Sequence, residues 1–201
     1  NMQTGEYEDT GIPAAILAHY LRESSVIPEK ADLNSILFLL TPAETLAKFQ
    51  HLVARIVSFE KHIRENSPVT QVLPTLAKAY PQYRKLTINE LCQLMHNFYA
   101  KHQLNKRQKQ MFEREHRPKV AISAFDAHNA FIRNEVELVS LHDIKGRIAM
   151  EGALPYPPGV YCIVPGEVWD GAVLDYFLAL QEGVNRLPGF EPEVQGVYWE
   201  Y

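Results

Sequence analysis

The sequence predicts an α+β fold. Three observations carry that reading. An uninterrupted apolar run at residues 35–40 (SILFLL) reads as a strand buried on both faces. It leads directly into a long amphipathic pattern with apolar residues at helical spacing. The last third alternates short apolar or β-branched runs with Pro and Gly, the pattern of brief strands and turns set between helices. At 201 residues and 46% hydrophobic, the chain can bury a core as one domain or two small ones.

In order, residues 12–22 predict a helix with Pro13 in its first turn and Ile16, Leu17, Tyr20 and Leu21 on one face. After the 35–40 strand, Thr41-Pro42-Ala43-Glu44 has the form of a capping box with Pro at the first helical position. The helix it opens carries Leu46, Phe49, Val53, Ile56, Phe59 and Ile63, and Glu65-Asn66-Ser67-Pro68 stops it. A short helical stretch at 70–79 is interrupted by Pro74. Thr87-Ile88-Asn89-Glu90 predicts a second capping box, with Leu91, Leu94, Met95, Phe98 and Tyr99 on the apolar side of its helix. Residues 105–115 form a more polar helical pattern. Residues 123–133 fit a helix capped by Ser123, with Asp126 three positions on. Residues 135–139 (EVELV) alternate acidic and apolar, which predicts a strand with Glu135 and Glu137 on one face. Strands are also expected at 120–122, 146–149 and 194–201, and a helix at 169–185 with Val173, Tyr176, Phe177 and Leu180 inward.

The stretch 151–167 (EGALPYPPGVYCIVPGE) is the most punctuated part of the chain. Pro157 and Pro158 fix their own φ, Pro157 pushes Tyr156 towards an extended conformation, and Gly159 permits a reversal. Residues 160–164 (VYCIV) read as a buried strand, ended by Pro165-Gly166. Extended to residues 146–167, GRIAMEGALPYPPGVYCIVPGE resembles the C-terminal signature of the bacterial ornithine/lysine/arginine decarboxylases. Residues 36–44 (ILFLLTPAE), 135–139 (EVELV) and 187–198 (LPGFEPEVQGVY) are similar to the ornithine branch, so the likeness covers nearly the whole chain.

That resemblance implies a division: residues 1–68 as the end of an aminotransferase-like small domain of fold type I, and residues 69–201 as the C-terminal domain of this decarboxylase group. It implies a parent enzyme that uses pyridoxal 5'-phosphate to convert L-ornithine to putrescine and CO₂. The family's Schiff-base lysine follows Ser-X-His. No Ser-X-His-Lys occurs here, and Lys61-His62 has the reverse order. The expectation is therefore a C-terminal fragment, inactive and without bound cofactor by itself. Its start without a leader pattern and its abrupt end agree with a chain cut from something longer. The resemblance further implies as partners the remainder of the polypeptide and a second subunit, in a homodimer or a ring of dimers. The other class is a stand-alone, non-enzymatic module with the same fold that binds a partner or an effector.

The terminal ammonium of ornithine requires a carboxylate at pocket depth, because a buried unpaired cation is costly. Glu135 and Glu137 are the candidates for that role, and Glu151 is a weaker one. Arg147 can hold a carboxylate or phosphate bidentately. Each also has a plainer account as a solvated strand face or a surface ion pair. The basic run at 105–119 fits a solvated helix face, with an effector site or subunit contact as its sharper account. A net charge of −4 gives no general attraction to nucleic acid or anionic membrane. No apolar run reaches the length of a membrane span. Cys92 and Cys162 match no metal or redox spacing and suit a reducing, cytoplasmic setting. The eight histidines have no partners at metal spacing, and neither a serine-hydrolase elbow nor a Gly-rich phosphate loop occurs.

Overall fold

The structure is a computed structural model that describes residues 6–156 and 159–197. Helices dominate, and the sheets among the described residues are two-stranded, which agrees with an α+β chain. Two compact units emerge among the described residues: one spans Tyr7–Phe98, and the other runs from Tyr99 to residue 197. Pro68 lies within the first of these units.

In the first unit, α1 (Ala14–Glu23) begins after Pro13 and buries Ile16, Ala18, Tyr20 and Leu21. β1 (Lys30–Ala31) pairs antiparallel with β2 (Ile36–Leu37), Lys30 opposite Leu37 and Ala31 opposite Ile36. The apolar run 35–40 is thus paired only at its start, and Leu37, Leu39 and Leu40 are exposed rather than buried on both faces. α2 (Leu46–Glu65) starts later than the capping-box pattern implies. Thr45 caps it by accepting from the Lys48 N–H at 3.4 Å. Thr41 and Glu44 close a turn instead, through the Glu44 N–H and the Thr41 carbonyl at 3.0 Å. A Thr-X-X-Glu spacing satisfies a turn as well as a helix start.

α2 ends at Asn66, which takes the left-handed conformation at φ 50°. Asn66 Oδ1 accepts from the Asn89 N–H at 3.3 Å, and Asn89 Nδ2 donates to the Ile63 carbonyl at 3.0 Å. The end of α2 is thereby stitched to the start of α5 (Ile88–Lys101), satisfying terminal backbone groups of both. Backbone bonds from Val69 to Leu86 (2.9 Å) and from Ile88 to Ser67 (2.9 Å) tie the chain on either side of Pro68. Between these helices, α3 (Val69–Val72) and α4 (Pro74–Ala79) are separated where Pro74 was expected to interrupt. Glu23, at the end of α1, accepts from the Thr75 and Leu76 N–H groups in the first turn of α4 (3.3 and 3.4 Å). Val69, Leu73, Ile88, Leu91 and Met95 complete this unit's core.

In the second unit, α6 (Leu104–Gln110) packs on α8 (Gly171–Arg186), and α7 (Ala124–Ile132) is capped by Ser123, whose Oγ accepts from the Asp126 N–H at 3.1 Å. α8 buries Val173, Tyr176, Phe177 and Leu180 as its spacing predicts. The Trp169 and Phe177 rings meet edge to face at 5.3 Å. β3 (Leu154–Tyr156) pairs antiparallel with β4 (Glu193–Gln195).

The segment 166–169 is the frame of this unit. On one side the Gly166 N–H donates to Ala149, the Ala149 N–H to Glu167 and the Trp169 N–H to Arg147, all at 2.8–2.9 Å. On the other side the Ala121 N–H donates to Gly166 and the Val168 N–H to Lys119, both at 2.9 Å. Gly166 sits at φ +93°, and a Cβ there would lie 2.4 Å from the Ile122 carbonyl oxygen, so only glycine fits. The strands expected at 120–122 and 146–149 are present only as single bridges, Val120 with Glu167 and Ile148 with Val168. Residues 160–164 also fall short of a buried strand. Cys162 and Ile163 are buried and Ala153 bridges to Ile163, but Val160, Tyr161 and Val164 face solvent. Pro157 and Pro158, and the end of the strand expected at 194–201, lie outside the described residues.

The second capping box forms as the sequence predicts. The Thr87 N–H donates to Glu90 Oε2 at 2.8 Å, and Thr87 Oγ1 accepts from the Glu90 N–H at 3.4 Å. The backbone hydrogen bond from Thr87 holds the Glu90 carboxyl below its ordinary value of 4.5. A carboxylate favoured in the folded state stabilises above its unfolded pKa and loses that contribution as pH falls through the folded pKa. Thermal melts of Glu90→Gln should therefore lie below wild type at neutral pH, and the two curves should converge as pH drops below the ordinary carboxylate value. Thr87→Ala should cost about 1 kcal/mol.

Candidate functional site

An open cleft of about 990 Å³ lies in the second unit, between residues 134–141 and 144–151. Asn134, left-handed at φ 58°, ends α7 and turns the chain into the first of these segments. The Glu135 N–H returns to the Ala130 carbonyl at 2.9 Å. Beyond it, residues 136–139 find no backbone partner among the described residues, so the alternating EVELV pattern does not become the expected strand. The second segment is held more firmly, since Gly146, Arg147 and Ala149 are bonded through the backbone to Trp169 and Glu167. Trp169, which also lines the cleft, meets the Phe177 ring edge to face.

The cleft brings together all four residues singled out from the sequence: Glu135, Glu137, Arg147 and Glu151 line it. Their pairings differ from a shared acidic strand face. Glu135 is bound by Arg133 through two parallel hydrogen bonds of 2.9 and 2.8 Å. The hydrogen bond from Arg133 lowers the Glu135 carboxyl from its ordinary range, and the same contact raises Arg133. Glu137 instead forms an ion pair with Arg147. Both pairs are solvent-exposed, where such contacts add little to stability. Glu151 is the lining carboxylate without a hydrogen-bond or ion-pair partner among the described residues. The cleft thus offers one carboxylate without a partner among the described residues and two that are ionised and paired with arginine.

Gln181, on α8, was not picked out from the sequence. It lines the same cleft, and its Oε1 is buried without a hydrogen-bond partner among the described residues. No sequence signal marks it, because a lone glutamine in a helix usually faces water. Gln181 also lines a smaller pocket of about 370 Å³ with His102, Arg107, His142, Asp175 and Glu182. There His102 Nε2 lies 3.3 Å from Glu182, and burial, outweighing that carboxylate, lowers the imidazole pKa. Arg107 Nη1 donates to the Asp175 carbonyl at 2.9 Å, so part of the basic run 105–119 serves to dock α6 on α8.

The pyridoxal phosphate that the resemblance implies needs an amine to anchor it. No lysine lines the cleft. Lys61 lies on α2 with its side chain 63% exposed and 3.8 Å from Glu65. This cleft therefore offers no amine to hold that cofactor. Both thiols are buried, and burial pushes Cys92 and Cys162 up to about 12, which leaves them unreactive as nucleophiles at neutral pH. No group of three metal-ligating side chains occurs among the described residues. No helix among them is long and apolar enough to cross a membrane.

Two family models match the chain: "Orn/Lys/Arg decarboxylase, C-terminal domain" over residues 105–201, and "Orn/Lys/Arg decarboxylase, major domain" over residues 1–48. The constitutive ornithine decarboxylase of Escherichia coli K12 is 59% identical over 199 residues, which is 98% of this chain and 28% of that protein. The inducible ornithine decarboxylase of Lactobacillus sp. strain 30a is 50% identical over 201 residues, 100% of this chain and again 28% of the relative. Among solved structures, the constitutive lysine decarboxylase of E. coli superposes with a TM-score of 0.89 at 30% identity, covering 96% of this chain and 28% of that one. The chain spans little more than a quarter of the length of the proteins it matches. It belongs to the Orn/Lys/Arg decarboxylase family.

Proposed function

We propose that this chain is the C-terminal portion of a pyridoxal-phosphate-dependent ornithine decarboxylase, which converts L-ornithine to putrescine and CO₂. The observation that carries this is the contrast in similarity: 59% and 50% identity to two ornithine decarboxylases across essentially the whole chain, against 30% to a lysine decarboxylase of almost the same fold. A shared fold alone would not separate the substrates.

In this reading the Schiff-base lysine and the cofactor belong to the portion of the parent outside this chain. When bound, the cofactor supplies the electron sink for loss of the carboxylate. The chain's own contribution is the wall of a pocket. Glu137, Glu135 and Glu151 supply negative charge towards the far ammonium of a diamino acid, and Arg147 positions Glu137. Residues 1–68 end the aminotransferase-like small domain, and 69–201 form the family's C-terminal domain. The parent works as a homodimer or a ring of dimers. It is cytoplasmic, which suits two cysteines that are buried and unpaired.

Three measurements bear on this. In the parent enzyme, Glu137→Ala should raise the KM for ornithine about tenfold, the change made by losing ~1.4 kcal/mol of binding, with kcat altered less. Unchanged kinetics would remove Glu137 from the pocket. Arg147→Ala should follow Glu137→Ala in the same direction, and the double variant should add little beyond either one. Incubating the 201-residue chain alone with pyridoxal phosphate should produce no stoichiometric Schiff-base absorption band. A site-specific adduct, or a reading frame that opens near Met2 with no upstream Ser-X-His-Lys, would contradict the proposal and favour a stand-alone module.

A further inference from the structure

We infer that Gln181 and Glu151 form a subsite for a primary alkylammonium in the cleft of the second unit. Two sources share that chemistry: the terminal ammonium of the substrate, and a free amine of the product class. The inference rests on the proposed function for the substrate source. It deepens that reading by naming the groups that accept the ammonium's hydrogen bonds.

Gln181 is the first observation. Helical spacing sets it on the inward face of α8, one turn from Phe177 and one from Val184, both of them buried. Positions on such a face are normally apolar. Gln181 Oε1 is buried, and none of the described residues donates to it. Buried acceptors are nearly always bonded, because an unmet one loses its hydration with nothing in return. Gln181 stands between the large cleft and the smaller pocket. In the smaller pocket, Arg107 donates to the Asp175 carbonyl and His102 lies against Glu182. In the cleft no lysine is present, and Arg147 is paired with Glu137. The donor that Oε1 lacks therefore comes from outside the described residues.

Glu151 is the second observation, and it sets the charge of that donor. It is exposed, lines the same cleft and has no partner among the described residues. Glu135 and Glu137 are already engaged by Arg133 and Arg147. With Arg147 as the cation among the described lining residues, the three carboxylates leave the cleft net negative. An ammonium has three N–H donors and no acceptor, so it can serve both Gln181 and Glu151. The amide orients one N–H, and the carboxylate supplies the charge without which a desolvated ammonium is costly. An anion would meet Glu151 with no guanidinium left to receive it. Leu141, Ile148, Ala149, Met150 and Trp169 complete the lining and suit an alkyl stem.

The test uses the full-length parent, its cofactor fixed by borohydride reduction so that added amines cannot exchange with it. Butylamine is titrated calorimetrically, with butanoate as the anionic control. Gln181→Leu removes the acceptor, and Glu151→Gln removes the charge. Each should weaken butylamine binding about tenfold, the scale of one hydrogen bond or ion pair to a charged group. Gln181→Glu keeps an acceptor and should bind butylamine at least as tightly as wild type. Glu151 is exposed, so Glu151→Gln reports even where a variant on the inward face of α8 fails to fold. The unreduced variants assign the source. A raised KM for ornithine identifies the substrate's own ammonium, and an unchanged KM identifies a free amine; either supports the subsite. Equal butylamine affinity in wild type and both variants overturns it, because Oε1 is then met by water alone. No measurable butylamine binding to wild type overturns it as well, as does a dependence on Gln181 seen for butanoate instead. A parent that does not decarboxylate ornithine refutes the proposed function, while the calorimetry still judges the subsite, so the two failures are separable.

Discussion

The second compact unit depends on backbone pairing around Gly166. Residues 166–169 are bonded on one side to 147–149 and on the other to 119–121, although no more than isolated bridges result. The close approach to the Ile122 carbonyl demands a glycine, and the bonds to Arg147 and Ala149 set one wall of the cleft. Trp169 extends the same segment into the core and rests edge-on against Phe177 of α8. Backbone geometry therefore fixes the wall that carries Arg147, while the facing segment 136–139 has no ladder to hold it. Glu137 meets Arg147 across that gap through a side-chain contact.

Much of the helical layout was legible because its signals are local. Ser123 with Asp126 and Thr87 with Glu90 place a polar side chain three residues from the N–H it caps, and both caps form. The apolar spacing of 173–180 is enough to orient α8, and Asn66 after Glu65 suits a left-handed end to α2. The first cap was misread by one motif. The Thr45 hydroxyl accepts from the Lys48 N–H, whereas at Thr41 it is the backbone carbonyl that accepts from the Glu44 N–H, and only the backbone distinguishes a turn from a helix start.

Strands were less legible because a strand needs a partner, and partners are not local. EVELV has the alternation of a half-buried strand but lacks a neighbour among the described residues. VYCIV has the composition of a buried strand, yet the core takes only Cys162 and Ile163. SILFLL reads as doubly buried and is largely bare. Of the candidate site, the residue types were legible and the pairings were not. Glu135 and Glu137 share a cleft but answer to different arginines, and Gln181 carried no signal at all. The family resemblance supplied what spacing could not, a candidate chemistry for the parent.

The central claim is that these residues shape the pocket of an enzyme selective for ornithine. The most direct measurement is product analysis of the protein expressed from its natural locus, supplied with pyridoxal phosphate and equal concentrations of ornithine and lysine. Putrescine as the dominant amine, formed with an equal amount of CO₂, is the result this account predicts. Dominant formation of the lysine-derived diamine, or no amine at all from a fully loaded enzyme, would contradict it.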